Sequence, residues 1–273
     1  MASRVKKLFP GEEWDEYYRR YQTVLAEAYL IPILRRWRVD LEDRKILEVG
    51  CGDGGCGAAL ARAGGRVYSM DIDERLVKIA AAFNQRDNLD LPVVQGDVND
   101  RDSPVYRNGP FDIILLRDVV EHLPDLVTAL SILRDQLSSD GVLFIVFPPY
   151  YSPYGAHQQI LPRKKIGFVP VNKLPYIQLL PDRLFLPLIS GDGPAPREVR
   201  SLRNIRLTLR KFEAKARAAG LIVRHRRHYL SRPTFALRYG LPVMGASILG
   251  RMPLLSELIV TAGYYLLKQR GKH

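Results

Sequence analysis

Two cysteines in 273 residues, Cys51 and Cys56, both fall inside one glycine-rich stretch. They are too few and too poorly placed for a disulfide framework or a four-ligand zinc site, so the chain reads as a protein of a reducing compartment. Long apolar runs are also missing. The nearest approach to a membrane span, LPVMGASILGRMPLLSELIVTAGYYLLKQR, is interrupted by Gly245, Gly250, Arg251, Pro253 and Glu257 and reads as a short helical insertion followed by a last strand, LIVTAGYYLLK. An interfacial hairpin is the alternative. The opening residues, MASRVKKLFPGEEWDEYYRR, hold no apolar segment of signal-peptide length, so a cytoplasmic setting is expected, peripheral at most to the inner face of a membrane.

Acids are scarce in one half only. Residues 1–150 carry 19 Lys and Arg against 24 Asp and Glu, a net −5, whereas residues 151–273 carry 22 against 5, a net +17. Such an excess suits an anionic partner, whether a phosphorylated or carboxylated substrate, nucleic acid or an anionic membrane surface; a solvated basic face is the alternative. At 47% hydrophobic residues the composition is that of a globular chain with a real core, with room for one large domain and its insertions.

From Glu12 to about Arg38 acids at the start and bases at the end frame a helix, with Pro32 predicting a kink or a break into two. Apolar strand-like runs then alternate with amphipathic stretches: KILEV, RVYSMD, LPVVQGD, FDIILL and GVLFIVF between GGCGAALARAG, ERLVKIAAAFNQR and LVTALSILRDQL. That alternation predicts a parallel sheet covered on both faces, with ligands beyond the carboxyl ends of its strands. Residues 148–200 hold ten prolines and few clean periodicities and read as an insertion of loops and short helices. IRLTLRKFEAKARAAG then reads as a helix stopped by Gly220, and LIVRHRRHYL as a strand.

Behind the first strand, ILEVGCGDG places Glu48, Gly50, Gly52 and Gly54 at alternating positions. Glycine is disfavoured inside strands, so these mark a turn where the backbone bends or is approached closely. Spacing alone leaves two cofactors open, because G-C-G-D-G-G from Gly50 also satisfies the dinucleotide pattern G-x-G-x-x-G. Asp71, ending RVYSMD, suits two ribose hydroxyls in either case. QGDVND adds Asp97 directly after the third strand.

Together with FDIILLRDVVEHLPD, this order of motifs resembles class I S-adenosylmethionine-dependent methyltransferases, in the broad group that includes the ubiquinone-pathway O-methyltransferases. The resemblance covers about residues 44–147. It implies an α/β, doubly wound, mostly parallel seven-stranded Rossmann-like sheet with N-terminal helices and lid insertions after strands 5 and 6. The expected divisions are an N-terminal helical cap at 1–43, a cofactor-binding core at 44–147, a substrate lid at 148–200, and the rest of the sheet at 201–273 with a second insertion at about 231–256. It further implies that Glu48, Gly50, Gly52 and Gly54 meet the methionine part of the cofactor and Asp71 the ribose. Ile72, Asp97 and Val98 would border the adenine, with Arg117 also on the cofactor. In certain relatives the acids and histidine matching Asp118, Glu121 and His122 hold a divalent cation; many others keep the Glu-His pair without a metal, and no metal is expected here.

Pro148-Pro149-Tyr150 matches the amino-methylating motif of DNA enzymes in neither its first residue nor its strand, which argues against DNA base methylation. What remains is Tyr150, Tyr151, Tyr154 and His157 on a Pro/Gly loop at the carboxyl edge. His157, with Tyr150 and Tyr154 beside it, is the expected base for an oxygen nucleophile; a loop-pinning role is its alternative. Arg163, Lys164, Lys165, Lys173 and Arg183 on one insertion, with Arg232, Arg238 and Arg251 on the other, would recognise a substrate anion, and IQLLPDRLFLPLI a lipid or aromatic body. The expected activity is therefore in-line O-methylation of a small or lipid-linked, anionic acceptor, yielding S-adenosylhomocysteine. Its rivals are an RNA methyltransferase, which lacks the interleaved aromatics of a recognised RNA module, and a membrane-surface or partner-binding protein that keeps the fold without turnover.

Overall fold

The computed structural model describes residues 13–157, 160, 165, 166, 168–189, 194–247, 250 and 252–271. Strands β1 (Lys45–Val49), β2 (Arg66–Asp71), β3 (Val93–Gln95), β4 (Phe111–Arg117) and β5 (Leu137–Phe147) run parallel in the order β3-β2-β1-β4-β5. A short hairpin, β6 (Lys165–Ile166) and β7 (Val169–Pro170), stands apart from them. The large sheet is completed by β8 (Leu221–Ser231), β9 (Met244–Gly245) and β10 (Ala262–Gln269), and β10 lies antiparallel between β5 and β8. The sheet thus has eight strands where seven were expected. The extra one, β9, pairs Gly245 with Tyr229 and Met244 with Ser231, and two residues are too few to register as a periodicity.

Successive strand residues point to opposite faces, and both faces are buried. Leu47, Ile114, Leu116, Leu143 and Ile145 pack in one core layer; Ile46, Ile113, Leu115, Val142 and Phe144 pack in the other. That two-sided burial is why these strands read as nearly unbroken apolar runs.

Helix α1 (Trp14–Leu25) passes through a π-helical turn, Ala26–Leu30, into α2 (Ile31–Arg36). Pro32 has no amide to donate and its ring displaces the carbonyl one turn earlier, so the helix widens there and continues. Helix α3 (Gly55–Arg62) follows the glycine turn, α4 (Glu74–Arg86) follows β2, and α5 (Leu126–Asp135) joins β4 to β5. The first insertion carries α6 (Asp182–Leu188) and α7 (Pro194–Ile205), the latter running past residue 200.

Helix α8 (Leu209–Ala218) begins later than its apolar pattern suggested. Thr208 caps it by accepting from the Lys211 amide at 3.1 Å, and Glu257 accepts from the amides of Leu209 and Arg210 at 2.9 and 3.0 Å. The second insertion holds α9 (Pro233–Tyr239) and α10 (Pro253–Ile259). Leu258 and Ile259, read above as the start of the last strand, belong to α10, and the strand begins at Ala262. Tyr176 of the first insertion donates its hydroxyl to the carbonyl of Leu258 at 3.2 Å, so the two insertions touch. No helix among the described residues is long and apolar enough to cross a membrane.

Candidate functional site

The carboxyl ends of β1 to β4 bring the motif residues to one edge. The amides of Gly50 and Cys51 both donate to the Met70 carbonyl, at 2.8 and 3.1 Å, which turns the chain sharply off β1. Gly50, Gly52 and Gly54 have φ of +70°, +57° and +77°. At Gly50 the need is also steric, since a Cβ there would stand 2.4 Å from a Val119 methyl. At Gly52 a Cβ would meet nothing within 4 Å, so its face looks into open space where a ligand can lie against the backbone.

Asp71 ties this turn to the next strand. Its Oδ2 accepts the Gly52 amide at 2.8 Å and its Oδ1 the Asp73 amide at 3.0 Å. Its carbonyl accepts the Gly96 amide at 3.0 Å, which sets the exit of β3 beside it. Asp97 is exposed and accepts the Asn99 amide on Oδ1 at 2.9 Å. Val98 is buried, and its carbonyl accepts the Tyr106 hydroxyl at 3.1 Å. Ile72 is exposed, an apolar side chain next to the ribose acid where a flat ring could rest. Edge, turn and acids therefore fit a nucleoside cofactor with an amino-acid tail.

Glu48 lies deeper. Its Oε2 accepts the Ser69 hydroxyl at 3.2 Å and would stand 2.6 Å from a Cβ at Gly57, so α3 packs directly on the carboxyl group. Burial pushes Glu48 up to about 7 against the pull of Arg117, and pushes Asp53 up to about 6 against its bond from the Gly55 amide. Arg117 pairs with Asp118 at 3.1 Å and lies among Glu48, Asp53 and Asp118. It is the cation beneath the turn. Cys51 and Cys56 are free, buried thiols.

Helix α1 roofs the turn through a residue the sequence reading missed. Arg19, 4% exposed, donates to the Asp53 carbonyl at 2.9 Å, to Asn84 Oδ1 at 3.0 Å and to Asp87 Oδ2 at 3.1 Å.

On the acceptor side the three loop residues part company. Tyr150 is buried; its amide donates to the Leu207 carbonyl at 2.8 Å and its hydroxyl accepts from Arg203 at 3.4 Å, which turns it toward the first insertion. Tyr154 donates to the Lys173 carbonyl at 3.3 Å and meets Phe235 edge-on, bordering a small gap lined also by Arg232 and Arg238. His157 alone of the three joins the turn after β4. Its Nε2 lies 3.6 Å from Glu121 Oε1, its Nδ1 3.0 Å from Glu198 Oε1, and its ring 5.2 Å from that of His122.

Burial and the charge of Asp118 raise Glu121 well above the usual carboxylate range. Burial, with His157 nearby, pushes His122 down to about 4, so its ring is neutral near neutral pH. Glu121, His122 and His157 bring one ligand atom each to within 4.8 Å of one another, a set that could take a divalent cation. Asp118, paired with Arg117, stands outside that set.

Of the lid cations, Arg232 stacks over Phe235 and Arg238 over Tyr21, at 5.1 and 4.9 Å. Lys173 and Arg183 are described; Arg163, Lys164, Arg251 and the Lys165 side chain lie outside the described residues.

Residues 47–145 match the family described as a methyltransferase domain. A ubiquinone biosynthesis O-methyltransferase of Actinobacillus pleuropneumoniae is 30% identical over 103 residues, 37% of this chain and 44% of that protein. Another from Xanthomonas campestris is 30% identical over 108 residues, 40% of this chain and 44% of that protein. The chain thus spans less than half the length of the curated relatives it matches. Among solved structures, an S-adenosylmethionine-dependent methyltransferase from Clostridium acetobutylicum superposes with a TM-score of 0.55 at 12% identity, covering 99% of this chain and 98% of that one. Magnesium protoporphyrin IX methyltransferase from Synechocystis, with bound S-adenosylhomocysteine, gives 0.52 at 15% identity, covering 98% and 94%. The fold is thus the Rossmann-like methyltransferase fold. Over its core, residues 47–145, the chain matches the methyltransferase domain and is similar to class I S-adenosylmethionine-dependent methyltransferases.

Proposed function

We propose that this chain transfers the methyl group of S-adenosylmethionine to a hydroxyl of a small or lipid-linked acceptor that carries negative charge. The observation that carries the reading is the position of His157: a loop histidine from the first insertion packs against the turn that leaves β4, at the same sheet edge as the glycine turn and Asp71. Gly50, Gly52 and Gly54 would admit the methionine part, with Glu48 beneath it for the amino group. Asp71 would accept the ribose hydroxyls. Ile72, Asp97 and Val98 would bound the adenine, and Arg117 would balance the buried acids.

S-adenosylmethionine supplies the methyl on a sulfonium and leaves as S-adenosylhomocysteine. The work left to the chain is alignment and proton removal. His157 Nε2 takes the proton as the acceptor O–H bond breaks, and the oxygen makes the new bond to carbon in line. Tyr150 and Tyr154, whose hydroxyls have other partners, shape the lid and do not act as bases. Arg232 and Arg238 offer positive charge to an acceptor anion. Exposed Leu184, Leu186 and Leu254 on the two insertions suit a lipid tail or the anionic membrane surface that holds it. The curated relatives, named for O-methylation in ubiquinone biosynthesis, support an oxygen acceptor on a ring with a lipid tail.

The test is calorimetric titration with S-adenosylmethionine, S-adenosylhomocysteine and NAD, followed by turnover on hydroxylated aromatic acids with and without prenyl tails. Micromolar binding of the first two and methylation that His157→Ala abolishes without changing cofactor affinity support the reading. Normal turnover by His157→Ala removes it as the base. Steeply salt-dependent binding of arbitrary RNA in place of acceptor turnover would move the assignment to nucleic acid.

A further inference from the structure

Glu198 lies on α7, in a stretch that no cofactor motif touches, yet it makes the shorter of the two carboxyl contacts of the His157 ring: Oε1 is 3.0 Å from Nδ1. The opposite ring nitrogen faces Glu121 at 3.6 Å. His157 sits at φ +52°, a left-handed conformation that a residue with a Cβ adopts only when its surroundings impose it. Those surroundings are the Val120–His122 turn and α7, which pack against each other. The charged and titratable groups near the ring are Glu198 from α7 and Asp118, Glu121 and His122 from the turn after β4, with Arg232 of the second insertion acting on Asp118 and Glu121.

An ionised carboxylate only accepts hydrogen bonds, so the nitrogen it faces must carry the proton. Glu198 reaches His157 with its carboxyl group while part of its side chain stays in water, where the charged form is favoured. The Nδ1–H tautomer follows, and the Nε2 lone pair is left on the side of the β4 turn.

We propose that Glu198 is the positioning residue of the loop histidine: it fixes His157 as the Nδ1–H tautomer with Nε2 free to accept the acceptor's proton. This rests on the reading of His157 as the base. Because Glu198 rides on a helix of the first insertion, seating that helix and preparing the base are one event.

The experiment pairs a spectroscopic readout with a kinetic one on the full chain. Long-range proton–nitrogen correlation spectra of protein labelled at histidine, with His157→Ala for assignment, report the tautomer directly. In the parent protein His157 is expected as Nδ1–H. In Glu198→Gln, whose amide can donate as well as accept, the two tautomers mix. For the same variant kcat falls about 10- to 100-fold while cofactor affinity and the KM for S-adenosylmethionine stay within about twofold. Glu198→Asp, which keeps the carboxylate, restores part of the kcat, and Glu198→Ala gives the same tautomer test should the glutamine variant not fold.

An unchanged His157 tautomer in Glu198→Gln, or in Glu198→Ala, overturns the role of Glu198, whatever the turnover, and leaves the base reading to stand on His157→Ala. A mixed tautomer with full turnover shows that the ring is not the base and takes this proposal down with that reading.

Discussion

Arg19 holds the carbonyl of Asp53, the residue between the second and third turn glycines, at 2.9 Å, from a helix more than thirty residues upstream. The same guanidinium reaches Asn84 and Asp87 on α4, so one side chain pins the glycine turn between two helices. Arg19→Ala leaves the buried Asn84 Oδ1 and the Asp53 carbonyl without this donor, while Asp87 keeps Arg86 and Arg62. The variant should lose about 2 to 4 kcal/mol of stability and bind S-adenosylmethionine about tenfold more weakly. Thermal melts and calorimetry measure the two effects separately. A stability loss with unchanged affinity would make Arg19 a brace of the fold alone.

Gly52 offers a separation in the other direction. Its φ of +57° disfavours alanine by about 1 kcal/mol, while the added methyl enters open space where the cofactor should lie. Gly52→Ala is therefore expected to fold with a small drop in melting temperature and to lose S-adenosylhomocysteine binding by an order of magnitude or more. Retained binding would place the cofactor elsewhere.

Glu48 makes both stability and affinity depend on pH. Its folded value of about 7 stands above its ordinary 4.5, so between these pH values the native state holds more protons than the unfolded chain. The apo protein therefore loses stability as pH rises from about 4.5 to 7, by about 3 kcal/mol from this group, and no further above that. Glu48→Gln should flatten this part of the melting profile. If the ionised carboxylate meets the cofactor's amino group, affinity should rise as pH climbs from about 6 to 8, and a flat profile would remove Glu48 from the binding set.

Chelation tests the donor set at the lid. Nδ1 of His157 already faces Glu198, and Asp118, the acid that precedes the Glu-His pair, is held by Arg117. Turnover should be unchanged by EDTA and by added magnesium or zinc. A loss on chelation that one divalent ion restores would assign Glu121, His122 and His157 to that ion.

The glycine turn, Asp71 and Asp97 were legible because each combines a residue type with a strand end, and both signals survive in one dimension. The strands were legible because Leu47 and Ile46 go to opposite cores, as do Leu116 and Leu115, so every residue in the run is apolar. The apolar run at Leu258–Val260 was not, since a short run serves helix or strand equally; Pro253 and the long-range cap by Glu257 mark α10, and the cap is invisible along the chain. Arg19 was hidden because a cation on a buried helix face cannot be told from one on a wet face without its partners. For Glu198 a signal did exist. The second half has five acids, and the four that are described, Asp182, Glu198, Glu213 and Glu257, each hold a partner: Arg203, His157, Arg226 and the start of α8.

The place of β10 also sets an order in time. It lies between β5 and β8 yet follows both in the chain, and β8 meets the body of the sheet only through it. A nascent chain can assemble β3-β2-β1-β4-β5 as a five-stranded parallel unit, but β5 keeps a bare edge until residues 262–269 have left the ribosome. Through synthesis of both insertions, more than a hundred residues, that edge is open to other strands. This interval is when a chaperone would be most needed.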